Sequence, residues 1–245
     1  MSCYENFASI YDELIYDDVN YKYWALKILN ICDNLNIDRK NYLDLACGTG
    51  NLTIELAPYF LNTYAVDLSQ EMLSIAEEKL RQKNIRSKVF CQNICSLNIK
   101  NQFNLITCAL DSTNYIIDED DLKNYFIGVY KLLKDDGVFI FDMNSYNKLT
   151  NILGNNTFNY DSEDVTYIWE NYLDNDIVNM YLTFFVKNGQ VYNRFDEEHT
   201  EKAYTEDTII SILKELGFTI YNIVDCYNNT PYTKESERIT YIVRK

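Results

Sequence analysis

Apolar and polar positions alternate along this chain in two different ways. Over residues 41–143, short apolar runs of strand length are separated by segments whose apolar residues recur every three or four positions. This pattern predicts strands that alternate with amphipathic helices. Such alternation is typical of a parallel sheet covered by helices on both faces. Over residues 165–200 the pattern changes, and it predicts three consecutive strands with no helix between them.

Capping residues locate the helices of the first region and its continuation. Ser69, Asp118 and Thr205 each precede a helical apolar pattern, and their side chains are suited to accept hydrogen bonds from the first-turn amides. Gly217 is predicted to end the helix that follows Thr205. The last two strands are joined by the ten residues NNTPYTKESE, which leave no room for a crossover helix. We therefore predict that these strands pair antiparallel and that one edge of the sheet runs backwards.

The segment 144–200 interrupts this alternation. Residues 144–164 are rich in Asn and poorly periodic, which predicts a loop or short helices. Strands are predicted over 165–173, 177–186 and 191–200, with two-residue turns at 175–176 and 188–189. Pairing across such turns gathers the following side chains on one face: Tyr167, Trp169, Asn171, Met180, Leu182, Phe184, Phe195, Glu197 and His199. The predicted organisation is a helical N-terminal cover (1–40), a core (41–143 and 201–245) and an inserted connector with an antiparallel lid (144–200).

The composition of the chain argues against several classes of binding partner. Twenty-two basic against 37 acidic residues give a net charge of −15, which repels phosphate backbones, so we expect no nucleic-acid partner. The apolar runs are far shorter than the roughly 20 residues that span a bilayer. The N-terminus has no signal-peptide pattern, so we expect a cytoplasmic protein without a membrane partner. Seven cysteines without a CxxC pair, and a single histidine, predict reduced thiols and no metal site.

A glycine loop, LDLACGTGNLT, occupies residues 43–53 after the first predicted strand. A dinucleotide-binding loop has three glycines in the pattern G-x-G-x-x-G, and counting from Gly48 the third position is Thr53. The missing glycine and the antiparallel last strand argue against NAD. Asp67 ends the second strand within VDLS, where one carboxylate can accept hydrogen bonds from both hydroxyls of a ribose. The alternative interpretation of Asp67 is a solvated acid that caps a helix.

These features together resemble the class I S-adenosylmethionine-dependent methyltransferases. The resemblance rests on LDLACGTGNLT, on VDLS and on the antiparallel final hairpin, and it covers nearly the whole chain. It implies an α/β fold, a doubly wound seven-stranded Rossmann-like sheet whose last strand is antiparallel, with a small antiparallel β insert. It also implies S-adenosyl-L-methionine as cofactor. Ala46 replaces the family's frequent first glycine, which is tolerated where the backbone φ is negative.

The resemblance assigns cofactor contacts to positions of this chain. Asp67 would bind the ribose, Asn93 the adenine amino group, and the Leu110 carbonyl the cofactor's amino group. The other implied contacts are Asp44, Ala46, Cys47, Gly48, Gly50, Leu68, Met72 and Ile94. The alternative interpretation of Met72 is a residue of the helix core. Asp111, Ser112, Asn114 and Tyr115 would border the transferable methyl group.

Two further stretches are similar to small-molecule members of this class, including sugar-amine N-methyltransferases. The N-terminal YENFASIYDEL matches a segment that folds over the cofactor there, so Tyr4, Tyr11 and Trp24 are candidates for contact with the sulfonium. RFDEEHTEKAYT contains His199, a candidate base for an amine or hydroxyl acceptor, with Tyr11 as the second catalytic candidate. A histidine that only ties strand to helix is the alternative.

The implied reaction is in-line methyl transfer to a nitrogen or oxygen atom of a small polar metabolite, by a monomer or homodimer. A dedicated base is not required, because the sulfonium is already an activated leaving group and positioning supplies much of the acceleration. Two alternatives remain at this stage. One is a regulator that binds the cofactor without catalysis, and the other is an RNA or protein methyltransferase.

Overall fold

The computed structural model describes Asp12 and residues 19–245, so Tyr4 and Tyr11 lie outside the described residues. Helices α1 to α5 span Tyr21–Asn34, Asn51–Leu56, Gln70–Gln82, Glu119–Leu132 and Glu206–Glu215. Strands β1 to β5 span Asn41–Leu45, Asn62–Asp67, Ser87–Cys91, Phe103–Cys108 and Leu133–Asn144. Strands β6 to β11 span Thr157–Asp161, Val165–Asp174, Ile177–Asn188, Val191–Lys202, Thr219–Asp225 and Arg238–Arg244. None of the described helices has the length and apolar character needed to cross a membrane.

A seven-stranded sheet forms the centre, in the order β10-β11-β5-β4-β1-β2-β3. Strands β1 to β5 pair in parallel, while β11 is antiparallel to both β5 and β10. The predicted antiparallel final hairpin is confirmed, but the prediction that the sheet edge runs backwards is wrong. The reversed strand lies one position inside the edge, because β11 is buried along most of its length and needs a neighbour on each side, whereas β10 is largely exposed.

The helices cover both faces of this sheet, and the side chains of each strand alternate between the two resulting cores. Leu43 faces the core shared with α4 and α5, whereas the adjacent Tyr42 faces the core shared with α1 and α2. The three predicted caps are present: Ser69, Asp118 and Thr205 accept hydrogen bonds from first-turn amides of α3, α4 and α5.

Strands β6 to β9 form a separate four-stranded antiparallel sheet, called the inserted sheet below. Sequence analysis missed β6, because 144–164 has no clear period, whereas the π-type helix at Lys148–Leu153 agrees with the short helices predicted there. The second turn lies at 189–190, one residue later than predicted, since Asn188 still pairs with Val191. The predicted shared face is confirmed, because Phe184 pairs with Tyr167 and Phe195.

Candidate functional site

A cavity of about 530 Å³ opens beside the carboxyl ends of β1, β2, β3 and β4. Open α/β sheets bind their ligands at this edge, and the volume is within the usual range for a small-molecule site. Ten of the predicted cofactor residues line it, namely Asp44, Ala46, Cys47, Gly48, Asp67, Leu68, Met72, Asn93, Ile94 and Leu110. Residues separated by more than 60 positions in sequence therefore meet around one space.

The loop between β1 and α2 turns through three left-handed residues. Ala46, Gly48 and Gly50 have φ values of +50°, +54° and +78°. The expectation of a negative φ at Ala46 is therefore wrong, and its methyl group is carried at a conformational cost of roughly 1–2 kcal/mol. The physical reason is the sharp reversal from strand to helix, which Gly50 N closes by donating to the Cys47 carbonyl at 2.9 Å.

The two glycines of this loop have different surroundings. A Cβ atom at Gly48 would meet no protein atom within 4 Å, so this residue presents its backbone to open space in the cavity wall. A Cβ atom at Gly50 would lie 3.1 Å from the Ala76 Cβ. Gly50 lies outside the cavity wall, and its small size serves the packing of α2 against α3 instead.

Asp67 is held rigidly at the end of β2. Gly48 N donates to one carboxylate oxygen at 2.7 Å, and Ser69 N donates to the other at 2.9 Å. Burial raises the pKa of Asp67, while these backbone amides act in the opposite direction. Because each carboxylate oxygen has two lone pairs, one acceptor position on each remains. Asp67 is therefore arranged to accept two hydrogen bonds side by side.

Asp44 is a second carboxylate in the cavity wall, and it is 2% exposed. Thr107 Oγ1 donates to it at 2.7 Å, and Thr53 Oγ1 donates to its other oxygen. Burial raises the pKa of Asp44 to about 6, the two hydroxyls oppose that shift, and the charge of Asp67 adds to it. The two acids together make this end of the cavity attractive to a cation.

Asn93 and Leu110 line two further parts of the cavity wall. The Asn93 side-chain oxygen already accepts a hydrogen bond from Cys95 N at 2.8 Å, so one lone pair remains for a ligand. Leu110 has a left-handed backbone with φ +57°. Leu68 is exposed and Met72 is buried, and both side chains border the cavity.

Trp24 does not reach this cavity, and the structure corrects that prediction. The Trp24 ring is 5% exposed and stacks on Tyr227 with ring centroids 4.5 Å apart. The Arg238 guanidinium lies over the same ring at 5.7 Å. Helix α1 buries its apolar face against the sheet, and Trp24 belongs to that face.

Asp12 is a site residue that sequence analysis did not single out, although it is the Asp of YENFASIYDEL. Thr49 Oγ1 and Asn51 Nδ2 donate to it at 2.7 and 2.9 Å, and Lys79 forms an ion pair with it. Burial would raise the pKa of Asp12, but the hydrogen bonds from Lys79, Thr49 and Asn51 outweigh it and the pKa is lowered. Asp12 thus connects Thr49 of the glycine loop with Lys79 of α3.

Tyr115 lines the other end of the cavity and links it to the inserted sheet. Its hydroxyl lies 3.2 Å from His199 Nδ1, and the two rings meet edge to face. Burial lowers the pKa of His199 to about 4, although the Asp111 charge opposes that shift. His199 is therefore a neutral imidazole at pH 7. It lies behind Tyr115 and outside the cavity wall, and its contact with that tyrosine connects it to the cavity.

A buried polar cluster lies beside this contact, and no short motif predicts it. Arg238 pairs with Asp111 at 2.7 Å and with Asp142. Glu201 is 3% exposed and accepts a hydrogen bond from Asn144 Nδ2 at 2.9 Å. Burial and the nearby Asp111 carboxylate raise the pKa of Glu201.

Comparison with known proteins identifies the family. A family model described as a methyltransferase domain matches residues 43–137. The putative methyltransferase YqeM of Bacillus subtilis is 31% identical over 99% of this chain and 97% of its own length. A crystal structure of an S-adenosylmethionine-dependent methyltransferase from Clostridium acetobutylicum is 56% identical, has a TM-score of 0.94 and covers 99% of each chain.

More distant structures share the fold alone. CalS10 from Micromonospora echinaspora, an amino pentose methyltransferase with S-adenosylmethionine bound, is 13% identical, with a TM-score of 0.79 over 96% of this chain and 97% of its own. The rigid Asp67 carboxylate and the open space at Gly48 fit an adenosyl cofactor that carries a sugar diol and an amino-acid tail. The chain thus belongs to the S-adenosylmethionine-dependent methyltransferases, and its cofactor is S-adenosyl-L-methionine.

Proposed function

We propose that this enzyme methylates a nitrogen or oxygen atom of a small polar metabolite. The observation that carries the proposal is the contact between Tyr115 in the cavity wall and His199 of the inserted sheet. This contact places the inserted sheet behind the cavity wall at Tyr115. A cavity of about 530 Å³ suits a compact acceptor, whereas an RNA or protein substrate needs an open surface.

We assign different parts of the cavity wall to different parts of the cofactor. When bound, S-adenosylmethionine supplies a methyl group on a sulfonium, which is an activated leaving group. We assign Asp67 to the ribose hydroxyls and the Leu68, Met72, Asn93 and Ile94 wall to the adenine. The backbone of the glycine loop, Asp44 and the Leu110 carbonyl would hold the amino-acid part. This arrangement leaves Ser112 and Tyr115 at the acceptor end.

Charges near Tyr115 favour an amine as the acceptor. Asp111, Asp142 and Glu201 lie close to one another there, and Arg238 pairs with two of these three acids. At pH 7 Glu201 is mostly protonated, because burial and Asp111 raise its pKa to about 8. The carboxylates of Asp111 and Asp142 still exceed the one guanidinium of Arg238 by one negative charge, which favours a cationic or hydrogen-bond-donating group. The fold shared with an amino pentose methyltransferase is consistent with this choice.

Tyr115 is the residue placed to contact the acceptor, and His199 is a positioning residue behind it. The imidazole, neutral at pH 7, can accept the Tyr115 hydroxyl proton as a hydrogen bond, which fixes the orientation of the phenol ring in the cavity wall. His199 is a weak base because of its lowered pKa. An amine acceptor that enters uncharged needs no strong base in the transfer step, whereas a hydroxyl acceptor would.

Transfer of tritium from methyl-labelled S-adenosylmethionine tests the proposal. Separate reactions would contain amino sugars, other small amines, hydroxylated metabolites, bulk RNA and a protein extract. Label in a small amine or hydroxyl compound supports the proposal. Label only in RNA or protein would overturn it in favour of a macromolecular methyltransferase. Tight cofactor binding without product in any reaction would instead support a regulator.

A further inference from the structure

Two consecutive residues after β4 have left-handed backbone angles, with φ +57° at Leu110 and φ +49° at Asp111. Neither is glycine, so each carries a steric cost from its Cβ atom. Leu110 lines the cofactor cavity. Strained backbone of this kind persists only where surrounding contacts fix it, and it is often found at functional sites.

Asp142 on β5 provides those contacts. Its side chain is fully buried, and its two oxygens accept from Leu110 N at 3.0 Å and from Asp111 N at 2.9 Å. Tyr227 Oη donates to the same carboxylate at 2.7 Å, and Arg238 pairs with it. These four donors occupy the acceptor positions of both oxygens. Asp142 therefore has no capacity left for a ligand and acts on the protein backbone alone.

The direction in which Asp142 holds the two amides determines how the Leu110 carbonyl is presented. Among the described residues, the hydrogen bond found for this carbonyl comes from Ser112 Oγ at 3.4 Å, which is long for such a bond. The carbonyl thus keeps acceptor capacity at the cavity wall. Without the Asp142 contacts, the left-handed pair would relax and the carbonyl would turn.

We propose that Asp142 is a positioning residue for the methyl donor, which holds the Leu110 carbonyl ready to accept a hydrogen bond from the donor's amino group. The inference rests on the proposed function, since it takes the cavity as the cofactor site. Charge pairing alone does not account for Asp142, because Asp111 already pairs with Arg238 at 2.7 Å. Asp142 has the additional role of accepting hydrogen bonds from the consecutive amides of Leu110 and Asp111.

Calorimetry with two ligands separates positioning from folding. The probes are S-adenosylhomocysteine and its analogue without the amino group. In Asp142→Asn we expect the affinity for S-adenosylhomocysteine to fall by about tenfold, because an amide oxygen cannot keep every bond of the carboxylate. The analogue should lose less than about threefold, since it makes no contact with the Leu110 carbonyl. The preference for the amino group would thus largely disappear.

Tyr227→Phe is the matched control. It removes a hydrogen bond from the same carboxylate but leaves both backbone amides bound, so the melting temperature should fall while the preference for the amino group is kept. If Asp142→Asn does not fold, Asp142→Glu keeps the charge beside Arg238 and displaces the oxygens, and it should show the same selective loss.

If the Asp142 variants lose affinity for both ligands by the same factor, or lose no affinity for either, the inference is overturned and the proposed cofactor site stays intact. Failure of the wild-type protein to bind S-adenosylhomocysteine would be a different result. It would contradict the cofactor site itself.

Discussion

The two ends of the cavity are built in different ways. At the cofactor end, Asp67 is held by backbone amides of Gly48 and Ser69, which are 19 and 2 positions away in sequence. At the acceptor end, Tyr115 meets His199 across 84 positions, and Arg238 reaches Asp142 across 96. The cofactor end thus depends on local backbone geometry, and the acceptor end depends on side chains that only the fold brings together.

This difference explains why a short motif identifies one end and not the other. Backbone amides can hold a carboxylate only if the loop takes left-handed angles, so glycines mark the site in the sequence. A network of buried side chains has no fixed spacing. The predictions below test whether the two ends are separable in binding, stability and turnover.

The largest expected effect concerns Asp67. Asp67→Ala should weaken affinity for S-adenosylmethionine by at least about tenfold, because it removes two charge-assisted acceptor positions and releases Gly48 N. Glu77→Ala, which removes one exposed acid from α3, the helix that follows Asp67, should leave the affinity unchanged. Equal affinity of Asp67→Ala and wild type by calorimetry would contradict the ribose assignment.

Gly189, in the turn between β8 and β9, provides a matched control for Gly48 at the cofactor end, because the two glycines have similar backbone angles. Gly48 (φ +54°) and Gly189 (φ +66°) would each carry a Cβ atom with no protein atom within 4 Å. Gly48→Ala and Gly189→Ala should each lower the free energy of unfolding by about 1 kcal/mol. Only Gly48→Ala should also lower donor affinity, by about fivefold, because its methyl group would occupy the cavity.

Similar donor affinities in these two variants would show that the space at Gly48 is not used by the cofactor. Denaturant unfolding and calorimetry on the same preparations separate the two effects.

At the acceptor end, His199→Ala should lower turnover by a few-fold and leave donor affinity nearly unchanged, because the imidazole acts through Tyr115. His199→Gln keeps a hydrogen-bond acceptor beside the tyrosine and should recover part of the turnover. Equal turnover in all three proteins would return His199 to a purely structural role.

The contribution of His199 to the free energy of unfolding should depend on pH. The folded pKa of His199, about 4, is below its ordinary value of 6.5, so acid favours the unfolded state. Its contribution to the free energy of unfolding is complete above about pH 6.5 and is lost as the pH falls through 4. His199→Gln should therefore lose less stability between pH 6.5 and pH 4 than the wild type does.

The smallest expected effect concerns Asp44. Its folded pKa of about 6 is above the ordinary 3.8, so its contribution to stability is present below pH 3.8 and is lost as the pH rises through 6. The ionised form should favour the sulfonium cation. The preference for S-adenosylmethionine over S-adenosylhomocysteine should rise about threefold between pH 5 and pH 7.5, since even water-screened charges several ångströms apart interact by about 0.6 kcal/mol.

Asp44→Asn should flatten this dependence in calorimetric titrations at the two pH values. A wild-type preference that does not change with pH would place the sulfonium away from Asp44.

Much of the core could be predicted from the sequence. Ser69, Asp118 and Thr205 begin their helices as expected, because a cap is a local interaction between a side chain and the next turn. Strand β6, within residues 144–164, could not be predicted. Strand β6 there forms because β7 offers it a partner, and such pairing has no local signal in a short, polar and irregular segment.

The candidate site shows the same division. The glycine loop and Asp67 at the end of β2 predict the cofactor cavity. The left-handed backbone of Ala46 and the burial of Trp24 against Tyr227 could not be predicted, because they result from tertiary packing. Asp12 was not predicted as a site residue, because its hydrogen bonds with Thr49 and Asn51 span 37 and 39 positions and only the fold brings these residues together.

By itself, the sequence determined the order of strands and helices, the caps and the cofactor loop, because these depend on periodicity and on contacts between near neighbours. Only the tertiary structure decided that β11 lies inside the sheet edge, that Asp142 holds the wall after β4, and that His199 lies behind Tyr115. The physical reason is that a buried polar group is stable only when distant segments supply its hydrogen-bond partners, and those partners are chosen by the fold.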